Sequence, residues 1–160
     1  MDRSVKISAL VVTVVAVAVD QATKWWALTA LRQAGGHLML PGPADLTLTF
    51  NESNAFGLTP VIGHATRWLL MSANLVVAAL ILYVIVAKQL RPLTRFGLAL
   101  IMAGAIGNAL DRLLVGAVVD FLDATKIGFV WIFNLADATL DGGIGLLALS
   151  TLLGERRAVA

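Results

Sequence analysis

Cysteine is absent from the 160-residue sequence, which excludes disulfides, a thiol nucleophile and cysteine-ligated metals. Histidine is scarce, because only His37 and His64 are present and no HExxH motif occurs, so a zinc-dependent reaction has almost no support. There is also no GxSxG element and no phosphate-binding loop. Charged residues make up 14% of the chain and the net charge is +2, which argues against nucleic acid as a partner. We therefore expect no metal and no organic cofactor, and the remaining chemistry is that of carboxylates.

Apolar residues are abundant, at 59% of the sequence, and this is the composition that a bilayer requires. A membrane-spanning helix needs about 20 mainly apolar residues, and four segments are long enough: about 7–28, 68–87, 96–114 and 134–153. The alternating pattern of Leu46–Phe50 and the apolar stretch Phe129–Phe133 predict short strands between the spans. The sequence therefore predicts one all-α membrane domain over residues 1–160, with four transmembrane helices and a small β-containing outer segment.

Lysine and arginine are distributed unequally between the two sides of these spans. Seven of the twelve lie before the first span, between the second and third, or after the fourth: Arg3, Lys6, Lys88, Arg91, Arg95, Arg156 and Arg157. Because the side richer in these residues is usually cytoplasmic, both termini are predicted to be cytoplasmic. Four residues form a predicted aromatic belt at the opposite, outer interface: Trp25, Trp26, Trp68 and Trp131.

The first span has a second interpretation. Residues 1–18 resemble a cleavable signal peptide, since a basic start and an apolar stretch precede Ala16, Val17 and Ala18, which resemble a cleavage site. The three later spans hold the chain in the membrane in either case. We expect the segment to remain as an uncleaved signal anchor.

Six ionisable side chains lie in or beside the apolar runs, where a charge costs about 2.5 kcal/mol or more at the membrane centre. Each lies near the outer end of a helix or in an adjoining outer segment: Asp20, Asp111, Arg112, Asp120, Asp137 and Asp141. A single polar pocket at the outer membrane face accounts for all of them.

Structural explanations compete with a functional one for several of these residues. Asn108, Asp111 and Arg112 share one helix face, and a structural ion pair between Asp111 and Arg112 is the favoured interpretation of Asp111. Asp20 and Lys24 are spaced as i, i+4 partners. An ion pair at the outer end of the first helix therefore explains Asp20 as well as a direct role does.

The same competition applies to the acidic residues further along the chain. Asp120 lies between a valine and a phenylalanine, and desolvation there is expected to raise its pKa. A solvated loop carboxylate is the alternative, and this description suits Asp123 better. Asn134 is a good N-cap for the fourth helix, which puts Asp137 at position N3, where a carboxylate interacts favourably with the helix dipole.

Two aspartates that lie close together share one proton, because both cannot ionise side by side. The ionised carboxyl can take a proton from water while the protonated one donates to a carbonyl oxygen, and a peptide bond is then hydrolysed without a covalent intermediate. Spacing alone does not select which two aspartates pair. A small proton-coupled transporter or channel and a structural membrane scaffold are the alternative functions.

Five motifs are specific in combination: Asp20–Lys24 (DQATK), Asn51–Gly57 (NESNAFG), Gly107–Arg112 (GNALDR), Val118–Phe121 (VVDF) and Phe133–Asp137 (FNLAD). With these motifs in this order and four spans, the chain resembles lipoprotein signal peptidase (signal peptidase II), a family of bacterial membrane aspartyl peptidases. It departs from the family pattern at Ser53, where the family usually has a glycine.

The resemblance implies that Asp120 and Asp137 are the catalytic pair of an aspartic endopeptidase. It also implies that further residues line or support the site: Asn51, Asn108, Arg112 and Asn134, with Asp20 in support. The implied substrate is a prolipoprotein whose cysteine already carries diacylglycerol, cleaved on the amino side of that cysteine. The implied location is the bacterial inner membrane, with the site at the periplasmic face, and globomycin-type cyclic peptides are expected to bind. We expect a monomer.

Membrane lipid is the second expected partner, since the substrate's lipid would stay in the bilayer while the scissile bond enters the polar pocket. Entry between helices is then required. We expect the extended segment around the cleavage site to lie against the Leu46–Phe50 strand or the loop that follows it.

Overall fold

The computed structural model describes residues 2–52 and 65–154, and in these ranges the chain forms four long helices and four short strands. In chain order the elements are α1 (Asp2–Gln33), β1 (His37–Leu38), β2 (Asp45–Asn51), α2 (Ala65–Ala87), α3 (Pro92–Leu114), β3 (Val118–Asp123), β4 (Ile132–Phe133) and α4 (Leu135–Leu152). A single 3-10 turn over Thr125–Ile127 follows β3. The predicted loop after Asn51 begins with Glu52, and the rest of it, including Ser53, lies outside the described residues.

All four described helices are long and apolar enough to cross a membrane, which confirms the predicted spans. The second and fourth begin and end within a few residues of their predicted limits. The first is longer at both ends, because its outer half continues past the apolar run as far as Gln33. Gly35 and Gly36, both with positive φ, then turn the chain back.

Helix α3 lies at the centre of the helical bundle and packs against α1, α2 and α4. Three small residues that allow close helix approach are buried on it: Ala99, Ala103 and Gly107. At Gly107 an added Cβ would lie 2.5 Å from Oδ2 of Asp20 on α1. At Gly104 it would overlap the backbone oxygen of Ala136 on α4. These close approaches bring the polar ends of α1 and α4 against α3.

Close packing at Gly104 predicts a stability difference between two glycines of the bundle. Gly104→Ala is expected to lower the thermal unfolding temperature, because overpacking typically costs about 1–3 kcal/mol. Gly142→Ala on α4 is the matched control, since nothing lies within 4 Å of an added Cβ there. Thermal unfolding of both variants in detergent, followed by tryptophan fluorescence, measures the difference. Equal unfolding temperatures for the two variants would contradict the packing described here.

The four strands form one antiparallel sheet in the order β1-β2-β3-β4, built from the segments between α1 and α2 and between α3 and α4. The predicted strand over Leu46–Phe50 is confirmed within β2. The predicted strand over Phe129–Phe133 is confirmed only for Ile132 and Phe133, because Phe129 and Trp131 pack edge to face in an exposed loop that precedes them. The sheet therefore has β2 and β3 as its central pair.

Asp123 is not the solvated loop carboxylate that the sequence suggested. It ends β3 and is only 8% exposed. Its Oδ1 accepts hydrogen bonds from the Thr125 hydroxyl (2.6 Å) and backbone N–H (3.0 Å), and its Oδ2 accepts one from the Thr47 hydroxyl (2.7 Å). These bonds, those of Thr125 above all, hold the pKa of Asp123 below its usual value. Asp123 therefore helps to join β2 and β3, and its hydrogen-bond partners differ from those of Asp120.

Candidate active site

The first turn of α4 holds the carboxyl group of Asp137 in a fixed position. Asn134 is the N-cap, and its Oδ1 accepts a hydrogen bond from the Asp137 backbone N–H (3.0 Å). In return Oδ2 of Asp137 accepts one from the Asn134 backbone N–H (3.3 Å). This capping box confirms the predicted cap and the position of Asp137 at N3. It leaves Oδ1 of Asp137 and the amide NH2 of Asn134 available for other contacts.

Strand β3 carries the second carboxyl group into the interior at Asp120, which is 2% exposed. Oδ1 of Asp120 accepts a hydrogen bond of 2.6 Å from the Asn134 amide. Oδ2 accepts one of 3.2 Å from the amide of Asn51, the last residue of the neighbouring strand β2. Three elements that are distant in the sequence, β2, β3 and the start of α4, thus meet at this one carboxyl group.

Asn108 on α3 connects the two carboxyl groups. Its amide nitrogen donates to Oδ1 of Asp137 at 2.8 Å, and its amide oxygen accepts from the Asn134 amide at 3.3 Å. The Asn134 amide is also the donor to Asp120. A chain of side-chain hydrogen bonds therefore runs from Asp120 through Asn134 and Asn108 to Asp137. Spacing alone did not show which two aspartates form a pair. In the structure, Asp120 and Asp137 share one network of amide hydrogen bonds.

Burial strongly affects the acidity of Asp120. Desolvation, and next the nearby charge of Asp137, raise the pKa of Asp120 to about 6. Hydrogen bonds from Asn51 and Asn134 and the positive charge of Lys24 act in the opposite direction but do not cancel the rise. This confirms the direction of the predicted pKa change at Asp120. Asp120 can therefore hold a proton at weakly acidic pH, as one member of a general acid–base pair must.

Asp20 lies on α1 beside the site. None of the hydrogen bonds described for it reaches the carboxyl group of Asp120 or Asp137. Its Oδ1 accepts a hydrogen bond of 2.8 Å from the backbone N–H of Ala136, in the first turn of α4. Its Oδ2 forms an ion pair of 3.0 Å with Lys24, which confirms the predicted i, i+4 pair. An anionic group at a helix N-terminus is favourable, so Asp20 fixes the end of α4 that carries Asp137.

The ion pair described for Asp111 is with Lys24 of α1, a partner that the sequence analysis did not name for it. Asp111 pairs with Lys24 of α1 at 2.7 Å, and it accepts hydrogen bonds from Gln21 (2.9 Å) and the backbone N–H of Val119 (3.0 Å). It therefore joins α1, α3 and the start of β3. Arg112 is buried beside it and donates to the backbone oxygen of Asn108 at 3.2 Å.

Sequence reasoning missed two members of this polar group, Lys24 and Gln21. Lys24 was recognised only as a partner of Asp20 at a helix end, and its burial depends on how closely α3 approaches α1. Asp141, by contrast, is exposed one turn beyond Asp137 on α4. It belongs to none of the hydrogen bonds and ion pairs described around the two carboxyl groups.

Comparison with known proteins gives a consistent result. Residues 12–153 match the family model described as signal peptidase (SPase) II. A lipoprotein signal peptidase of Caulobacter vibrioides is 42% identical over 92% of this chain and 88% of its own. One of Symbiobacterium thermophilum is 37% identical over 94% of this chain and 98% of its own. A solved bacterial membrane enzyme is 27% identical with a TM-score of 0.77, covering 91% of this chain and 92% of its own.

Proposed function

The chain belongs to the signal peptidase II family, and from this premise we propose that Asp120 and Asp137 are its catalytic pair. The protein is a multi-pass membrane peptidase that removes signal peptides from lipoprotein precursors. The observation that carries the proposed pair is the amide network, in which Asn134 bonds Asp120 while Asn108 bonds Asp137. Such a network holds two carboxyl groups in fixed orientations before substrate arrives, and preorganisation of this kind lowers the barrier to reaction.

In the proposed reaction Asp137 is ionised and Asp120 is protonated. Asp137 takes a proton from the attacking water, whose oxygen bonds to the scissile carbonyl carbon, and Asp120 donates its proton to the carbonyl oxygen. The C–N bond of the resulting tetrahedral intermediate then breaks as Asp137 gives its proton to the leaving amine nitrogen and Asp120 regains a proton from a hydroxyl of the intermediate. The raised pKa of Asp120 supports this assignment of roles.

The proposal extends to the substrate and the setting, for which the family and the four apolar helices give support. The substrate is a prolipoprotein with a diacylglyceryl cysteine, cleaved on the amino side of that residue, and the lipid remains in the bilayer during entry between helices. The enzyme acts as a monomer in the bacterial inner membrane, with both termini in the cytoplasm and the site at the periplasmic face. The Lys and Arg distribution supports this orientation.

An extended substrate segment would add to an edge of β2 near the catalytic pair. Residues 49–51 of β2 pair with 118–120 of β3 on one side. The described pairing of β1 reaches only Leu46 and Thr47 on the other side, with one further hydrogen bond from Leu48 to Gly36. The part of β2 at Phe50 is therefore the proposed docking edge, directly beside Asn51, whose amide contacts Asp120.

The function is tested by incubating the purified protein with a prolipoprotein that carries diacylglycerol on its cysteine. We expect cleavage on the amino side of that cysteine, no cleavage of the unlipidated precursor, and inhibition by a globomycin-type cyclic peptide. Proton flux in liposomes tests the alternative of a proton-coupled transporter or channel. Proton flux without cleavage of the lipidated precursor would refute the proposal.

The raised pKa of Asp120 predicts how cleavage depends on pH. Asp120 is protonated below about pH 6 and ionised above it, so kcat/KM is expected to fall as the pH rises through this region. Asn51→Ala removes a hydrogen bond that lowers this pKa, and the fall should move to higher pH. Asn74→Ala on α2 is the matched control and should not move it. A profile that is flat between pH 5 and 8, within the range in which carboxyl groups at active sites titrate, would contradict the role of Asp120.

A further inference from the structure

The ammonium group of Lys24 is a buried charge to which the proposed mechanism gives no role. This lysine is 2% exposed, although it lies on a helix whose outer half is otherwise largely open to its surroundings. Its Nζ lies 2.7 Å from Oδ2 of Asp111, 3.0 Å from Oδ2 of Asp20 and 3.2 Å from Oδ1 of Asn108. Three acceptors for three ammonium hydrogens satisfy the group completely.

Two of these contacts explain why a buried lysine is tolerated. Burial disfavours a charged amine unless opposite charges lie close to it, and carboxylates from α1 and α3 supply them. We name Lys24, Asp20 and Asp111 the lysine cluster. These two ion pairs would be enough for a purely structural connection between α1 and α3. The third contact, from Lys24 to Asn108, is not needed for that connection.

The contact with Asn108 connects the lysine cluster to the catalytic pair. An amide side chain can be turned so that its oxygen and nitrogen exchange places. Lys24 donates to the oxygen of Asn108, which directs the nitrogen of that amide toward Oδ1 of Asp137 at 2.8 Å. Without the ammonium group, the Asn108 oxygen would keep only the longer 3.3 Å bond from Asn134 among the described contacts that it accepts.

The lysine cluster also contributes charge to the surroundings of the catalytic pair. Among the residues that the structure describes, Lys24 and Arg112 are the buried cations of this region, and the carboxyl groups around them come from α1, α3, β3 and α4: Asp20, Asp111, Asp120 and Asp137. The positive charge of Lys24 lowers the pKa of Asp120 even without direct contact. Loss of that charge would therefore make ionisation of the pair harder.

We propose that Lys24 is a positioning residue of the active site, which orients the Asn108 amide toward Asp137 and supplies a fixed positive charge beside the catalytic pair. This inference rests on the proposed function, since it assigns Lys24 a role in the same reaction. Lys24 touches no reacting atom and acts through Asn108 and through its electric field. The lysine cluster thus connects α1 to the catalytic groups on β3 and α4.

Lys24→Met tests the proposal, because methionine nearly matches the length of lysine but has neither charge nor donor. We expect kcat per folded enzyme to fall about tenfold or more, as loss of precise placement of a catalytic group allows. KM should change less than about twofold, since binding contacts are intact. Both limbs of the pH profile of kcat/KM should move to higher pH. An unmoved profile would overturn the proposal, because a structural defect lowers every point equally.

Asp111→Asn provides the opposite test and covers the case in which Lys24→Met fails to fold. It removes a negative charge from the lysine cluster while an amide oxygen still accepts from Lys24, so both limbs should move to lower pH. Lys126→Met is the control, since it removes another ion-paired lysine, whose Nζ lies 2.6 Å from Oδ1 of Asp45 at the start of β2. It should leave the pH profile unchanged. Shifts of the same sign in Lys24→Met and Asp111→Asn would overturn the inference. Lack of wild-type cleavage would instead refute the proposed function itself.

Discussion

Asp120→Asn and Asp137→Asn are each expected to reduce cleavage of a diacylglyceryl prolipoprotein by about 10⁴-fold or more, the upper range for loss of an acid–base group. An asparagine amide neither takes a proton from water nor gives one to a carbonyl oxygen at neutral pH. Each substitution keeps one side-chain oxygen in place, so the network around Asn134 and Asn108 loses little of its shape. The measurement is turnover of purified variants in detergent, normalised to folded protein.

Asp141→Asn is the matched control for these two variants. Asp141 lies on the same helix as Asp137, one turn further on, but it is exposed and has no described contact with the network. Its substitution should leave turnover within about twofold of wild type, as is usual for an exposed residue away from special features. A fully active Asp120→Asn variant would refute the assignment of the pair, and so would an inactive Asp141→Asn variant that is correctly folded.

The helices of this protein were predictable because they follow from simple quantities. The length and apolarity of each span are set by the bilayer, and the cap at Asn134 with Asp137 at N3 follows from local hydrogen bonding. Both the spans and the cap depend on residues that follow one another in the sequence. The role of each catalytic candidate, by contrast, was specified through family resemblance, since spacing alone could not choose among the aspartates.

Strand β3 was missed because its sequence carries no alternation. Val118 and Val119 are buried on either side of the strand, and so are Asp120 and Phe121. A strand buried on both faces is a continuous run that periodicity cannot separate from other buried segments. The strand that carries Asp120 therefore became visible only through its pairing with β2.

The environment of Lys24 was unpredictable for a different reason. The i, i+4 spacing with Asp20 is the same whether the pair is exposed or buried, and its energetic weight differs greatly between the two cases. Burial depends on the close approach of α1 to α3 at Gly107, which is a property of packing. The pairing of Lys24 with Asp111 joins residues in the first and third helices, and no local pattern connects them.

The second large effect is expected at Asn134, which is fully buried and has two separable roles. Its oxygen caps α4, and its NH2 group donates to Asp120 and to Asn108. Asn134→Ala removes both roles, whereas Asn134→Ser keeps a good capping oxygen and loses only the amide donor. We therefore expect Asn134→Ala to be less stable by about 1 kcal/mol, and Asn134→Ser to stay close to wild type in stability.

Cleavage by these two variants should not follow their stability. If the amide donor positions the catalytic pair, both variants lose about 10²-fold or more in kcat, since small misplacement of a catalytic group has an effect of this size. If Asn134 acts only as a cap, Asn134→Ser stays nearly fully active and only Asn134→Ala is impaired. Thermal unfolding and turnover measured on the same preparations distinguish these outcomes. An active Asn134→Ser enzyme would mean that Asp120 and Asp137 do not depend on the bridge between them, and the network would then support the fold rather than the reaction.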